Sequence, residues 1–134
     1  MVEMKKLYIS CPMKGRTEED IRKSMEKMHR IAEIIFDEPL EVIQTYVADL
    51  PPEEAREAVW CLGWCIQLLS EADYFIGVSG SYAYNGCEIE KEIARRYDIP
   101  RAEVNILEIA PDCKETLESA IGTGLALGYG FGGR

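Results

Sequence analysis

The sequence predicts a doubly wound α/β domain, in which a parallel sheet of four to five strands is covered by helices on both faces. Short runs rich in apolar, β-branched and aromatic residues alternate with longer stretches whose apolar residues recur every three or four positions. The runs are mostly apolar rather than strictly alternating, as strands buried on both faces require. Each is separated from the next by enough chain for a helical crossover, and such crossovers are right-handed.

Lys6-Leu7-Tyr8-Ile9-Ser10 is a short apolar run that ends in Cys11-Pro12-Met13-Lys14-Gly15-Arg16, the pattern of a buried strand followed by a turn. From Thr17 the period changes. Ile21, Met25, Met28, Ala32 and Ile35 form one stripe, with Thr17 as N-cap, Glu18, Glu19 and Asp20 in the first turn and Pro39 beyond the end. Leu40 to Val47 has strand length and β-branched and aromatic residues, which completes a β-α-β unit.

Pro51 and Pro52 introduce a second helix, from about Glu53 to Glu71, with Ala55, Val59, Leu62, Ile66 and Leu69 on one face. Trp60, Trp64 and Leu68 form a neighbouring stripe that either completes the core or meets another subunit. Asp73 to Val78 reads as a central strand and Ser79 to Asn85 as a polar loop. Gly86 then opens a third helix that reaches about Tyr97, Ile99-Pro100 ends it, and Val104 to Ile109 is the expected fourth strand. Residues 1–121 are thus expected to form one domain. Residues 122–134 carry six glycines and read as a mobile tail, or alternatively as a lid or partner contact.

Fifteen basic against twenty-four acidic residues give a formal net charge of −9, which opposes a polyanion and favours a small molecule over nucleic acid as partner. No apolar run approaches the ~18 residues of a membrane span, and the amino terminus lacks a secretory pattern, so the expected location is the cytoplasm. The five cysteines show no C-x-x-C spacing, and reduced thiols are expected. His29 is the sole histidine, which excludes multi-histidine metal sites and disfavours Ser-His or Cys-His catalysis.

A doubly wound sheet binds its ligand at the carboxyl ends of its strands, here the loops after Ser10 and after Val78. The first loop has neither a P-loop nor a dinucleotide fingerprint. It offers Lys14, Gly15 and Arg16 beside a helix N-terminus, suited either to an anion or, given the acids at positions 18 to 20, to simple solvated charge. After the second loop, helical spacing puts Glu90 one turn beyond Gly86, at the edge of the cleft, with Ile89 and Ile93 buried and Glu88 and Glu92 facing outward. A carboxylate so placed can attack a sugar anomeric carbon. Cys87, near a helix N-terminus, offers either thiolate chemistry or small-residue packing.

Leu7-Tyr8-Ile9-Ser10-Cys11-Pro12-Met13-Lys14-Gly15, Ala72-Asp73-Tyr74-Phe75-Ile76-Gly77-Val78 and Gly86-x-x-x-Glu90-x-x-x-Ala94 resemble the three motif blocks of the nucleoside 2-deoxyribosyltransferase superfamily. More narrowly they resemble its small phage and bacterial branch, to which the deoxynucleoside-monophosphate N-glycosidases are related. The resemblance covers roughly residues 6 to 100. It implies a flavodoxin- or Rossmann-like fold, Glu90 as nucleophile, Tyr8 as the residue that holds it and Lys14 as the basic residue near a phosphate. It further implies double displacement at C1′ without metal or cofactor, in a homodimer or larger assembly.

Two positions depart from that pattern: Cys65 stands where an aspartate commonly helps protonate the leaving base, and Tyr84 where serine or aspartate is usual. Tyr82 and Tyr84 could stack on a base, donate from a phenol or simply pack the loop, with Asn85 and Gly86 beside them at the substrate. The departures leave open a rival reading, a binding protein that keeps the cleft without turnover.

Overall fold

The computed structural model describes residues 3–45 and 51–114. Its elements are β1 (Lys5–Ile9), α1 (Glu18–Phe36), β2 (Leu40–Val42), α2 (Glu57–Leu69), β3 (Tyr74–Ser79), α3 (Asn85–Arg96), β4 (Arg101–Asn105) and the single turn α4 (Ile106–Ile109), followed by a 3-10 turn, Pro111–Cys113. The four strands form one parallel sheet in the order β2-β1-β3-β4. The chain moves outward from β1 to β2 and then returns to the other side of β1. The order therefore reverses between β1 and β3, where a doubly wound sheet opens its crevice.

Strand alternation sorts β1 between two cores. Leu7 and Ile9 pack with Met28 and Ala32 of α1, and with Ile106 and Ile109 of α4. Tyr8 points the other way, into a second cluster with Cys65 and Leu69 of α2, Phe75 of β3 and Ala94 of α3. The result is three layers, a Rossmann- or flavodoxin-like arrangement, and no helix among the described residues is long and apolar enough to cross a membrane.

In α1, Thr17 caps as expected: its hydroxyl accepts from the backbone N–H of Asp20 at 3.1 Å. The helix ends where Asp37 turns left-handed, before Pro39. Met28 and Ala32 are buried and Ile21 and Met25 partly so, but Ile35 is 51% exposed. Phe36 carries the last apolar contact instead, stacked on Tyr74 at 4.2 Å.

Three boundaries differ from the expectation. Helix α2 begins at Glu57, because the chain after Pro51 and Pro52 first makes a turn, with Ala55 N–H donating to Pro52 O, before the helical ladder starts. β2 ends at Val42; one further ladder bond, from Ile43 N–H to Leu7 O, follows, residues 43–45 are not strand, and the last two positions of the expected strand, 46 and 47, lie outside the described residues. β4 runs from Arg101 to Asn105 instead of Val104 to Ile109. Asn105 caps a helical turn by accepting from Leu107 N–H, so the apolar Ile106 and Ile109 are a turn packed on α1, not a strand. The glycine-rich segment 122–134 lies outside the described residues.

Candidate active site

Tyr8 is on β1 and Ser10, two positions on, is the first residue beyond it in extended continuation, so both side chains leave the same face of the sheet, at its carboxyl end. Ser10 is held there by its own N–H, which donates to Ile76 O at 2.9 Å and continues the pairing of β1 with β3. Across from them α3 comes down with Gly86, Cys87, Glu90 and Ala94 as its buried stripe. Glu90 is fully buried, and each of its carboxyl oxygens accepts one hydroxyl: Tyr8 donates to Oε2 at 2.5 Å and Ser10 to Oε1 at 2.7 Å. A carboxyl group taken out of water is tolerated only with such partners.

The expectation had put Glu90 at the cleft edge with Ile89 buried; the helix is rotated from that reading. Glu90 is on the buried stripe and Ile89 is 42% exposed, because the hydroxyls of Tyr8 and Ser10 satisfy the carboxyl where it meets the sheet. Ile93 does pack against the second core. Glu92 faces outward, and hydrogen bonds from Arg95 and Arg96 hold its carboxyl down to about 2. Glu88 instead turns back to the loop and accepts from Ser81 Oγ at 2.6 Å, while Lys91 Nζ donates to Val78 O at 3.0 Å.

Gly77 explains how α3 comes so near. A Cβ there would lie 2.8 Å from Phe75 Cε1 and 3.2 Å from Lys91 Cγ. The Phe75 ring occupies that space and stacks on Tyr8, with centroids 6.1 Å apart and planes 7° apart. Glycine at 77, Phe75 and Tyr8 thus form one packed unit beside Glu90.

Cys65 lies in the same buried cluster as Tyr8, on α2, so the structure brings it to the tyrosine side of the site. Arg16 is placed otherwise than an anion-binding role needs. Its Nε and Nη2 donate to Asp112 at 2.8 and 2.9 Å, Nη1 to Pro12 O and Cys11 Sγ, and Nη2 also to Asp20 O and Ser24 Oγ. All five N–H groups of a guanidinium are thereby engaged. Burial disfavours its charge, but the bond to Asp112 and the electrostatic attraction of Cys113, Cys11 and Asp112 together more than offset this and raise its pKa. Lys14 and Gly15 remain at the exposed tip of that loop, with Gly15 at a φ of 74° that suits glycine.

Tyr84, expected at the loop, is 1% exposed; its ring is in the α1-side core and its hydroxyl donates to Cys113 Sγ at 3.3 Å. Burial pushes the Cys113 thiol up. Tyr82 is partly buried against the same core, Asn85 begins α3, and Gly86 is buried in its first turn. Cys87 is fully buried in that core, and none of the five cysteines forms a disulfide. Ser10 was not singled out as a site residue in the sequence, although its place two residues after Tyr8 was the signal. Two surface hollows, one around Lys5 and Asp73 and one around Val42 and Leu68, have no lining residue in common with this site.

The fold and site define a parallel α/β protein with a buried, hydroxyl-held glutamate at the reversal point of its sheet. No protein-family model, curated protein or solved structure matches the chain.

Proposed function

We propose that the protein cleaves or transfers the N-glycosidic bond of a (deoxy)nucleoside or its 5′-monophosphate, with Glu90 as nucleophile. The observation that carries this reading is the pair of hydroxyls, Tyr8 and Ser10, that fix both carboxyl oxygens of Glu90 at the carboxyl end of β1. In the first step a Glu90 oxygen bonds to C1′ as the C1′–N bond breaks, and the departing base, which keeps the electron pair of that bond, takes up a proton from solvent. In the second, the oxygen of water or a nitrogen of another base bonds to C1′ and gives up its proton to solvent, while the C1′–O bond to Glu90 breaks and its electron pair returns to the carboxylate. For hydrolysis the sum is nucleoside plus water giving base plus sugar.

With Arg16 engaged inside the fold, recognition of a 5′-phosphate from this loop would fall to Lys14. Self-association through α2, a cytoplasmic location and a mechanism without metal or cofactor belong to the same reading. It is tested by incubating the protein with a panel of deoxynucleosides and their 5′-monophosphates and measuring free base by chromatography.

A second reading, a binding protein that keeps the cleft without turnover, is favoured by two observations. Glu90 has no exposed surface, and Cys65, buried beside Tyr8, cannot supply the charge of an aspartate. The same panel separates the readings, because a binder is thermally stabilised by a ligand it does not cleave.

A further inference from the structure

We infer that Ser10 is a positioning residue for Glu90, equal in kind to Tyr8 and acting on the other carboxyl oxygen. This rests on the reading of Glu90 as nucleophile. The two hydroxyls divide the carboxyl between them: Tyr8 takes Oε2 and Ser10 takes Oε1, at 2.5 and 2.7 Å. One bond alone leaves a carboxyl free to swing about its side-chain torsions; two bonds to different oxygens fix both the plane of the group and its rotation.

Ser10 is well made for this. Its backbone is tied into the sheet through the bond from its N–H to Ile76 O, so its Oγ has a defined place. It is fully buried, on the same face of the sheet as Tyr8. A hydroxyl is costly in such surroundings unless it is used, and Glu90 is its partner. Each oxygen of a carboxylate has two lone pairs, so both bonds leave a lone pair with which one oxygen can attack C1′. When the glycosyl bond to Glu90 breaks in the second step, the electron pair returns to the carboxylate, and both hydroxyls are already placed to donate to it.

The test compares wild type with Ser10→Ala, which removes the hydroxyl, and Ser10→Thr, which keeps it, by kcat and KM for base release together with the melting temperature. Ser10→Ala is expected to lower kcat by about tenfold or more with KM within about twofold, because orientation of the nucleophile is lost while substrate contacts remain. Ser10→Thr is expected to recover most of that loss. A kcat for Ser10→Ala within about twofold of wild type overturns the inference and leaves Glu90 as nucleophile standing. So does an equal fall in both variants, which makes the effect one of packing. If wild type releases no base from any member of the panel, the reading of Glu90 and the role of Ser10 fail together. Ser10→Cys, of similar size but a weak donor, replaces Ser10→Ala if that variant does not fold; it is then expected to lose kcat as described, and retention of wild-type kcat overturns the inference.

Discussion

Arg16 and Asp112, 96 positions apart in the chain, are joined by two parallel hydrogen bonds of 2.8 and 2.9 Å. The pair fastens the loop after β1 to the turn after α4, and the Arg16 side chain is only 3% exposed. A lysine keeps the charge but not the planar fork that also reaches Ser24 Oγ and Pro12 O. Arg16→Lys is expected to destabilise the fold by on the order of 2–3 kcal/mol in urea unfolding. A change within about 0.5 kcal/mol would contradict the role given to the fork.

The same pair gives a pH dependence. The hydrogen bond from Arg16 holds the Asp112 carboxyl below its ordinary 3.8, against the opposing effect of burial. A carboxyl with a depressed folded-state pKa adds stability above its unfolded pKa, and that contribution is lost as pH falls through the folded value. Asp112→Asn should therefore be less stable than wild type by a constant amount above about pH 5, with the gap narrowing as pH falls below about 4. Urea titrations across this range check it; a gap that widens toward acid would be the contrary result.

Gly77→Ala would bring a methyl to 2.8 Å from a Phe75 ring carbon, and Phe75 is fully buried and stacked on Tyr8. The ring cannot yield without moving Tyr8. A loss of about 1–3 kcal/mol in unfolding free energy is expected from overpacking, with a fall in any Glu90-dependent activity. Unchanged stability and activity would show that the ring has room the structure does not display.

The parallel sheet, the Thr17 cap of α1 and the place of the cleft at the strand ends were legible in the sequence from run lengths and turn residues, and the pairing of Tyr8 with Glu90 was what the resemblance of the motif blocks implied. The rotation of α3 was not legible. Apolar Ile89 looks like core and Glu90 like the edge of the cleft until the hydroxyls of Tyr8 and Ser10 are known to wait beneath α3. Nor was the fate of Arg16, since its partner is supplied from the far end of the described chain. The Asn105 cap also hid the end of β4: Ile106 to Ile109 are apolar enough for a strand, and a single side-chain bond turns them into a helix.

Helix α2 carries few polar residues, yet only Cys65 and Leu69 are fully buried and Val59 is 64% exposed. Gly63 is exposed, and a Cβ there meets no described atom within 4 Å, so the fold itself gains nothing from glycine at that point. In an exposed helix, Gly63→Ala would add about 1 kcal/mol of stability. If a second copy packs its helix there, the added methyl should instead weaken association. Sedimentation equilibrium is expected to show wild type as a dimer or larger at micromolar concentration and Gly63→Ala as more dissociated; a monomeric wild type would refute self-association through this face.

The role of Glu90 is tested most directly by base release from the nucleoside and nucleotide panel, measured for wild type and Glu90→Gln side by side. The amide keeps the size of the side chain and can still accept one hydroxyl, but it has lost the nucleophile. Release by wild type from at least one member is expected, abolished in Glu90→Gln while that variant is still stabilised by the same ligand. Should wild type release nothing yet be stabilised by a ligand, Cys65→Asp tests whether a carboxylate beside Tyr8 restores turnover, and the binding reading holds if it does not. Base release undiminished in Glu90→Gln, or neither release nor ligand stabilisation in wild type and Cys65→Asp alike, would contradict the assignment of Glu90.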